Sequence, residues 1–418
     1  MITIGLVNKS GAVLAAGSTF NKTDDAVSKQ TNNIFKPYDG RPVGVMIDED
    51  AQFMGIPMRQ VMLDYQYAQN TGRFGTLKEY VMDFVGYLQN KAKSYSEMEQ
   101  EECVRSVVST EFLLTNMMIE EMCEDKGIGT TAAVRELAEN VIGKKYEYCM
   151  VSEPDPSVDE NYEKSFRKKY EAVIKDSIKE AFNNVNFSKK TEEELTQLGV
   201  CLFSKSVPRW YNAKSPSLMF AGYGDAEELP QIYSLRIFGV ADYRVKHDLI
   251  EHEFPAIDDN IYSVIAPFVS SEAILNFVNG IDPEYEINVM KALYSALNEY
   301  HSSVVDELEK LGIRKNNKIY ENIINKRNSS IDKPIDNIVA HEYSSHQKPF
   351  HGKMATLSKN EMASLAEALI RLAFLKYEFS GRIDTSEILI EIASITKEEG
   401  VPMGKEDPSN KAAEVLAG

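Results

Sequence analysis

The chain opens with Met1-Ile2-Thr3-Ile4-Gly5-Leu6-Val7-Asn8-Lys9-Ser10-Gly11-Ala12-Val13-Leu14-Ala15-Ala16-Gly17. Two apolar runs, Ile4 to Val7 and Ala12 to Ala16, flank a short polar stretch that contains Ser10-Gly11. Apolar runs joined by a short glycine-containing turn are the local signal of antiparallel strand pairing. The stretch therefore predicts a β-hairpin that ties the first residues into a sheet.

Five later segments have the local patterns of strands and helices. They are Val43 to Pro57, Leu218 to Tyr223, Pro230 to Gly239, Glu361 to Tyr377 and Ile388 to Lys397. Together with the opening hairpin, and in this order, they resemble the proteasome β-subunit family, within the larger class of N-terminal-nucleophile hydrolases. The resemblance covers roughly half of the chain. It implies an α+β fold, a four-layer αββα sandwich of two antiparallel sheets, here with a large helical insertion.

The nucleophile of that family is a threonine at the start of the mature chain, and its own α-amino group acts as the base. Aligning the hairpins places Ile2 at the nucleophile's position and Thr3 one residue later. A branched hydrocarbon cannot attack a carbonyl, and the bulky Ile2 is expected to keep Met1 in place. Thr3 is the fallback nucleophile, which would require removal of Met1 and Ile2.

The resemblance also implies an aspartate at the end of the second strand and a lysine about sixteen residues later, which lowers the pKa of the nucleophile. Gly17 and Asn33 occupy these positions, and neither side chain carries charge. Lys36 has the wrong parity for the same strand face, and Lys29 lies about 13 Å further along a strand. Where the family keeps a glycine near the oxyanion, this chain has Asp48-Glu49-Asp50. No catalytic residue is therefore expected.

Composition narrows the class of protein. The chain has 418 residues, of which 43% are hydrophobic and 26% charged, enough to bury a substantial core. Its formal net charge of -18 disfavours nucleic acid as a partner, since phosphate binding requires clustered Lys and Arg. The sequence shows neither a basic and then apolar leader nor an apolar run long enough to span a membrane. We therefore expect a cytoplasmic protein with no membrane partner.

Cysteine spacing bears on the redox compartment. Cys103, Cys123, Cys149 and Cys201 are scattered without CxxC pairs. This pattern favours free core thiols in a reducing compartment over disulfides.

The predicted organisation is a core interrupted by an insertion. Residues 1–92 form the first part of the core, 93–214 a mainly helical insertion, 215–400 the second part of the core with additional helices, and 401–418 a flexible tail. The insertion is rich in charge, and Tyr162 to Asn183 repeats apolar residues at helical spacing.

Three helices and one linker can be located from the sequence. Thr76 to Leu88 has helical periodicity, and Ile287 to Leu311 predicts a long helix with one buried face. Residues 316–356 are predicted to be a polar linker. Ser358 with Glu361 predicts a capping box at the start of a later helix.

Two groups suggest metal ligands, and each has a plainer interpretation. His341, His346 and His351 recur every five residues, a spacing that fits neither one helix face nor the close pairs of structural zinc sites. Asp48 to Asp50 would suit a hard cation, but three consecutive acids point in different directions. A solvated linker and an exposed turn are favoured, and no metal or cofactor is expected.

Two further features lie in the predicted insertion. Glu120-Glu121 and Glu124-Asp125 form either a carboxylate cluster or a solvated helix face, and no nearby histidine supports the cluster. Trp210 either anchors a partner interface or packs the insertion against the core. The solvated face and the packing role are favoured.

Two main hypotheses follow from the resemblance. The first is a catalytically inactive proteasome-β-like protein that acts by self-assembly, as homo-oligomers of that family do, or by binding a protein partner through the insertion. The second is an active threonine peptidase or hydrolase that uses Thr3 after processing. An unrelated α/β binding protein, in which the hairpin resemblance is accidental, is the third.

Overall fold

The structure is a computed structural model of the chain. It describes residues 1–20, 33–48, 50–68, 72–182, 185–206, 217–250, 254–258, 260–268, 271–311, 333, 335–381, 387–401 and 403–405. These residues form a mixed α+β protein with antiparallel sheets.

Twelve strands lie in the described part of the chain. They are β1 (Ile2–Asn8), β2 (Gly11–Phe20), β3 (Ile34–Phe35), β4 (Val43–Ile47), β5 (Gln52–Phe53), β6 (Ile56–Pro57), β7 (Ser217–Gly222), β8 (Gln231–Ala241), β9 (Arg244–Ile250), β10 (Ser263–Pro267), β11 (Glu387–Ile395) and β12 (Met403–Lys405). One five-stranded sheet has the order β10-β1-β2-β11-β12, and a second has the order β3-β4-β7-β8-β9. β5 and β6 form a separate two-stranded ribbon.

Ten α-helices are described. They are α1 (Met58–Ala68), α2 (Leu77–Ala92), α3 (Glu97–Asp125), α4 (Thr131–Val151), α5 (Tyr162–Ala181), α6 (Lys189–Ser204), α7 (Glu272–Asn279), α8 (Pro283–Lys310), α9 (Lys348–Met354) and α10 (Lys359–Phe379). A helical segment, 335–342, and a π-helical turn, Tyr343–Gln347, lead into α9. Within the described residues, no helix combines the length and the apolar character that a membrane span requires.

The predicted opening hairpin is confirmed. β1 and β2 pair in antiparallel register from Ile2 opposite Gly17 to Asn8 opposite Gly11. The turn is held by Asn8, whose Oδ1 accepts the N–H of Ser10 at 2.8 Å and whose Nδ2 donates to the carbonyl of Met354 at 2.9 Å. The local signal was sufficient because it specified both the apolar runs and the turn between them.

The first sheet packs on both faces. On one face, Ile2, Ile4 and Leu6 join buried residues of α7 and α10 in one apolar cluster. On the other, a Cβ built on Gly44 of β4 would lie 2.8 Å from Cδ1 of Ile395 and 3.3 Å from Cδ1 of Leu14. β4 therefore lies close against the face of the sheet opposite to α10.

The chain divides into two compact units. One contains Met1–Met46, Ala221–Ile232 and Phe254–Gly418, and the other contains Ile47–Phe220 and Tyr233–Glu253. The predicted boundaries at residues 92, 214 and 400 stay predictions. β12 lies within the stretch predicted to be a tail and pairs with β11, while residues 406–418 lie outside the described residues.

Helices α3 to α6 surround an apolar core to which Phe238 and Ala241 of β8 also contribute. Its residues include Val104, Phe112 and Ile142. A buried ion pair joins α3 to α4, since Nζ of Lys145 lies 2.8 Å from Oε1 of Glu111. Burial raises the pKa of Glu111, although Lys145 opposes this. The charged residues of these helices otherwise lie largely on the solvent side, as amphipathic packing requires.

The expectation of four free thiols is wrong for two of the cysteines. Cys149 of α4 and Cys201 of α6 form a disulfide, with their Cα atoms 6.6 Å apart. Both are fully buried, whereas Cys103 and Cys123 are free. Their separation of 52 residues carries no local signal. Only the packing of α4 against α6 brings the two sulfur atoms together.

The long helix after Ile287 is confirmed as α8, but its buried face is not. None of its residues is buried, and Tyr300 is 71% exposed. Periodicity fixes which side chains share a face but not whether another element covers them. Asp282 caps the helix by accepting from the N–H groups of Glu284 and Tyr285. A hydrogen bond from Lys376 is the main cause that lowers the pKa of Asp282 to about 2.

Other local predictions have mixed outcomes. The capping box of Ser358 with Glu361 is confirmed at the start of α10, and Thr76 caps α2 in the same way as part of the predicted Thr76 to Leu88 helix. The polar linker is wrong for its described part, because residues 335–354 are helical. These residues are largely exposed, and an exposed helix gives little apolar periodicity to detect.

Candidate functional site

Two of the three positions that the resemblance assigns to catalysis, Ile2 and Gly17, are neighbours on the face of the first sheet that packs against α10, whereas Asn33 lies beside Ser18 on the opposite face. Ile2 lies directly opposite Gly17, and Gly17 lies opposite Ile390 on its other side. Ile2 is fully buried in the apolar cluster with α7 and α10. A hydrocarbon packed in this way offers neither a nucleophilic atom nor access to a substrate.

Gly17 leaves no space for a side chain. A Cβ built on it would lie 2.6 Å from Cε2 of Phe374 and would also collide with Cγ2 of Ile370. Both residues belong to α10 and are buried. The helix therefore fills the space that an aspartate would need, and this close approach requires a glycine at position 17.

Asn33 lies in a buried polar environment. Its backbone N–H donates to Oε2 of Glu391 at 2.8 Å, and its Nδ2 donates to Oγ of Ser18 at 3.4 Å. All three residues are buried. Thr3 and Glu391 each pair with Ala16, one on either side, so both side chains lie on the face that carries Ser18. We call Thr3, Ser18, Asn33 and Glu391 the inner polar cluster.

The inner polar cluster is built for hydrogen bonding. The carboxylate of Glu391 accepts the backbone N–H of Asn33 and so ties the segment before β3 to β11. An amide at position 33 cannot supply the positive charge that depresses the pKa of a nucleophile. The arrangement satisfies buried polar groups, which is the ordinary requirement for such groups inside a sheet.

The fallback nucleophile, Thr3, is also enclosed. Its side chain is fully buried, and its backbone carbonyl accepts the N–H of Phe268 at 3.3 Å. Lys36, one of the two nearby lysines, is half-buried, and Lys29 lies outside the described residues. Thr3 therefore lies inside a paired strand rather than at an open chain end.

The acidic turn after β4 has the geometry of a local turn. The N–H of Ala51 donates to the carbonyl of Asp48 at 3.0 Å, and the N–H of Asp50 donates to Oδ1 of Asp48 at 3.4 Å. Asp50 is exposed, and Glu49 lies outside the described residues. The Asp48 carboxylate is thus directed at the backbone of its own turn.

The three histidines do not converge. Nδ1 of His351 lies 3.1 Å from Oγ of Ser263, whereas Nδ1 of His341 lies 3.3 Å from Oγ of Ser345, on its own helical segment. His346 is exposed. Burial lowers the pKa of His351. Among the described residues, no three side chains of the His, Cys, Asp and Glu types lie close enough to hold a metal ion.

Of the remaining candidate residues, the acids on α3 are described by the structure and Trp210 is not. Glu120 and Glu124 line the mouth of a cavity beside α3. Trp210 lies outside the described residues.

Burial raises the pKa of the Cys103 thiol to about 11, although a backbone hydrogen bond from Val240 opposes this. Such a thiol is protonated at neutral pH and is a weak nucleophile.

Sequence reasoning missed two members of the inner polar cluster, Ser18 and Glu391. Glu391 is the one charged residue in the apolar run Ile388 to Ile395, which is a usable signal of a buried, partnered carboxylate. No comparable signal marks Ser18. Comparison of the chain with family models, with curated proteins and with solved structures found no match in any of the three.

Proposed function

We propose that this chain is a catalytically inactive protein with a proteasome-β-like αββα sandwich that acts by self-assembly. The observation that carries the proposal is the filled space at Gly17, where α10 occupies the volume that the family's aspartate would need. A protein in which a packed helix fills this site can keep both sheets of the fold without keeping the catalytic nucleophile.

Two packing contacts support the sandwich. α10 and β4 lie against opposite faces of the first sheet, which accounts for three successive layers in one compact unit. In the other unit, the ring of Phe84 on α2 lies 6.0 Å from that of Phe220 on β7, a contact of a helix with a strand of the second sheet. A helix layer outside each sheet is the arrangement that the proposal requires.

The alternative of an active threonine hydrolase has less support. It requires Thr3 to become a free, accessible chain end, yet Thr3 is fully buried and is hydrogen-bonded within the first sheet. It also requires a charged neighbour, and Asn33 supplies an amide. Both features favour the inactive form.

The surface for self-assembly in this proposal is an apolar row on α10. Leu372, Leu375 and Phe379 share one face of the helix, and Leu375 and Phe379 are 51% and 85% exposed. Two bases and two acids lie within little more than three turns around the row, so the row is locally neutral: Arg371, Lys376, Glu367 and Glu378. Two copies can therefore meet here without the repulsion that the net charge of -18 produces elsewhere.

Light scattering at micromolar concentration tests the proposal. We expect the mass of at least two chains, and we expect Leu375→Glu with Phe379→Glu to reduce it to one chain because charges replace the apolar contact. Val151→Glu is the control, since Val151 is 81% exposed and lies on α4. A strictly monomeric parent contradicts self-assembly, and an unchanged mass in the double variant contradicts the role of the row.

A further inference from the structure

A cavity of about 410 Å³ lies beside α3, α4 and α5. Its inner wall is apolar and includes Ile119, Ala181 and Phe182, all of them buried. The volume falls in the range of small-molecule sites, about 300 to 1,000 Å³. None of the residues that line the cavity belongs to the first sheet or to the proposed assembly row.

A buried thiol lines the same cavity. Cys123 is 7% exposed, and within the described residues its thiol forms neither a disulfide nor a hydrogen bond. A buried free cysteine behaves as a small apolar residue with a polarizable sulfur, so Cys123 extends the apolar wall of the cavity. A thiol also makes favourable contacts with aromatic rings.

The mouth of the cavity is negatively charged. Glu120 and Glu124 lie one helical turn apart on α3 and line it. No lysine or arginine in the described part of the chain forms an ion pair with either carboxylate. Asn116 orients one of them, since its Nδ2 donates to Oε1 of Glu120 at 2.9 Å. The carboxylates are thus held at the entrance without a counter-charge.

The C-terminal end of α3 and the N-terminal end of α4 both border the cavity, and their helix dipoles favour opposite charges. The last turn of α3 places the negative end of its dipole near Glu124 and reinforces the preference for a cation. The first turn of α4 would favour an anion, but Thr130 caps it by accepting the N–H of Ala133 at 3.4 Å. The charges at the mouth therefore set the preference.

From these observations we propose that the cavity binds a small organic cation, an ammonium group carried on an aryl or alkyl body. The ammonium lies between Glu120 and Glu124, and the apolar body lies against Ile119, Phe182 and the sulfur of Cys123. Within the described residues, no three side chains of the His, Cys, Asp and Glu types lie close enough together at the cavity to hold a metal ion instead. This binding activity is additional to self-assembly.

Calorimetric titration with phenethylammonium tests the proposal, with phenethyl alcohol and phenylpropionate as neutral and anionic probes of similar shape. We expect saturable binding of the cation, weaker binding of the alcohol and none of the acid. Bound cation also slows alkylation of Cys123 by N-ethylmaleimide, measured by peptide mapping. Equal binding of all three probes, or no binding of the cation at millimolar concentration, overturns the proposal.

Matched variants locate the site. Glu120→Gln with Glu124→Gln should weaken binding of phenethylammonium about five- to tenfold, the effect of losing two partly exposed charge contacts. Glu121→Gln with Asp125→Asn makes the same change in net charge on the same helix but away from the cavity, and should leave affinity within about twofold. Val134→Trp fills the cavity and should abolish binding. An equal loss in the control pair overturns the assignment.

Discussion

Replacement of Gly17 by Asp is expected to destabilise the fold by about 4 kcal/mol or more, because it adds both overpacking and a buried charge. The new side chain would begin 2.6 Å from Phe374 and in collision with Ile370, two buried residues of α10. Gly17→Ala adds only the overpacking and should cost about 1 to 3 kcal/mol. Urea unfolding followed by circular dichroism measures both free energies.

Gly86 provides the matched control. It lies on the exposed side of α2, and a Cβ built on it would meet no atom within 4 Å. Gly86→Asp should therefore change the free energy of unfolding by no more than about 0.5 kcal/mol. If Gly17→Asp is as stable as Gly86→Asp, the space under α10 is open, and the family's aspartate fits.

Removal of the buried cation Lys246 should have a similarly large effect. Nζ of Lys246 lies 2.5 Å from Oδ2 of Asp155 and 2.6 Å from the carbonyl oxygen of Lys205. Lys246→Met leaves Asp155 buried without its counter-charge, which typically costs about 3 to 5 kcal/mol. Lys179→Met is the control, because its ion pair with Asp176 is exposed and should be worth less than about 1 kcal/mol.

The pKa of Asp155 predicts how the stability effect of Lys246→Met depends on pH. Burial raises the pKa of Asp155, but the charge of Lys246 and hydrogen bonds from Lys246 and Ser157 outweigh it and hold the pKa below its ordinary value. The lowered pKa therefore stabilises the folded parent fully above the unfolded-state pKa of about 3.9. This stabilisation is lost as the pH falls through the lower folded-state pKa of Asp155. In Lys246→Met only the hydrogen bonds from Ser157 still oppose burial, so the pKa of Asp155 rises relative to the parent and the advantage of the parent shrinks in acid.

The stability difference between parent and Lys246→Met should consequently narrow between pH 7 and pH 3. Urea unfolding at several pH values measures it. A difference no larger than that of Lys179→Met, or one that widens in acid, contradicts a structural role for the Asp155 and Lys246 pair.

Local structure was largely readable from the sequence. The opening hairpin, the capping box of Ser358 with Glu361 and the long helix α8 all follow from patterns within a few residues, and the structure contains them. The exposure of α8 and the disulfide of Cys149 with Cys201 did not follow, because each depends on which elements pack together. Periodicity and spacing carry no information about such partners.

For the candidate site too, the sequence indicated residue chemistry but not the contacts between distant segments. The sequence indicated that Ile2, Gly17 and Asn33 lack the required chemistry, and this depends only on residue type. It did not indicate that α10 fills the space at Gly17, or that Glu391 reaches Asn33 from 358 residues away. Both contacts are long-range: packing of α10 on the first sheet creates the first, and pairing of β11 with β2 brings Glu391 to Asn33.

The most direct measurement is intact-mass spectrometry after incubation with an electrophile directed at N-terminal threonines. Because Ile2 and Thr3 are fully buried in the first sheet, the mass of the chain should stay unchanged. An active proteasome β-subunit is the positive control for the reagent. A chain that begins at Thr3 and carries one reagent group on that residue would contradict a closed, inactive site.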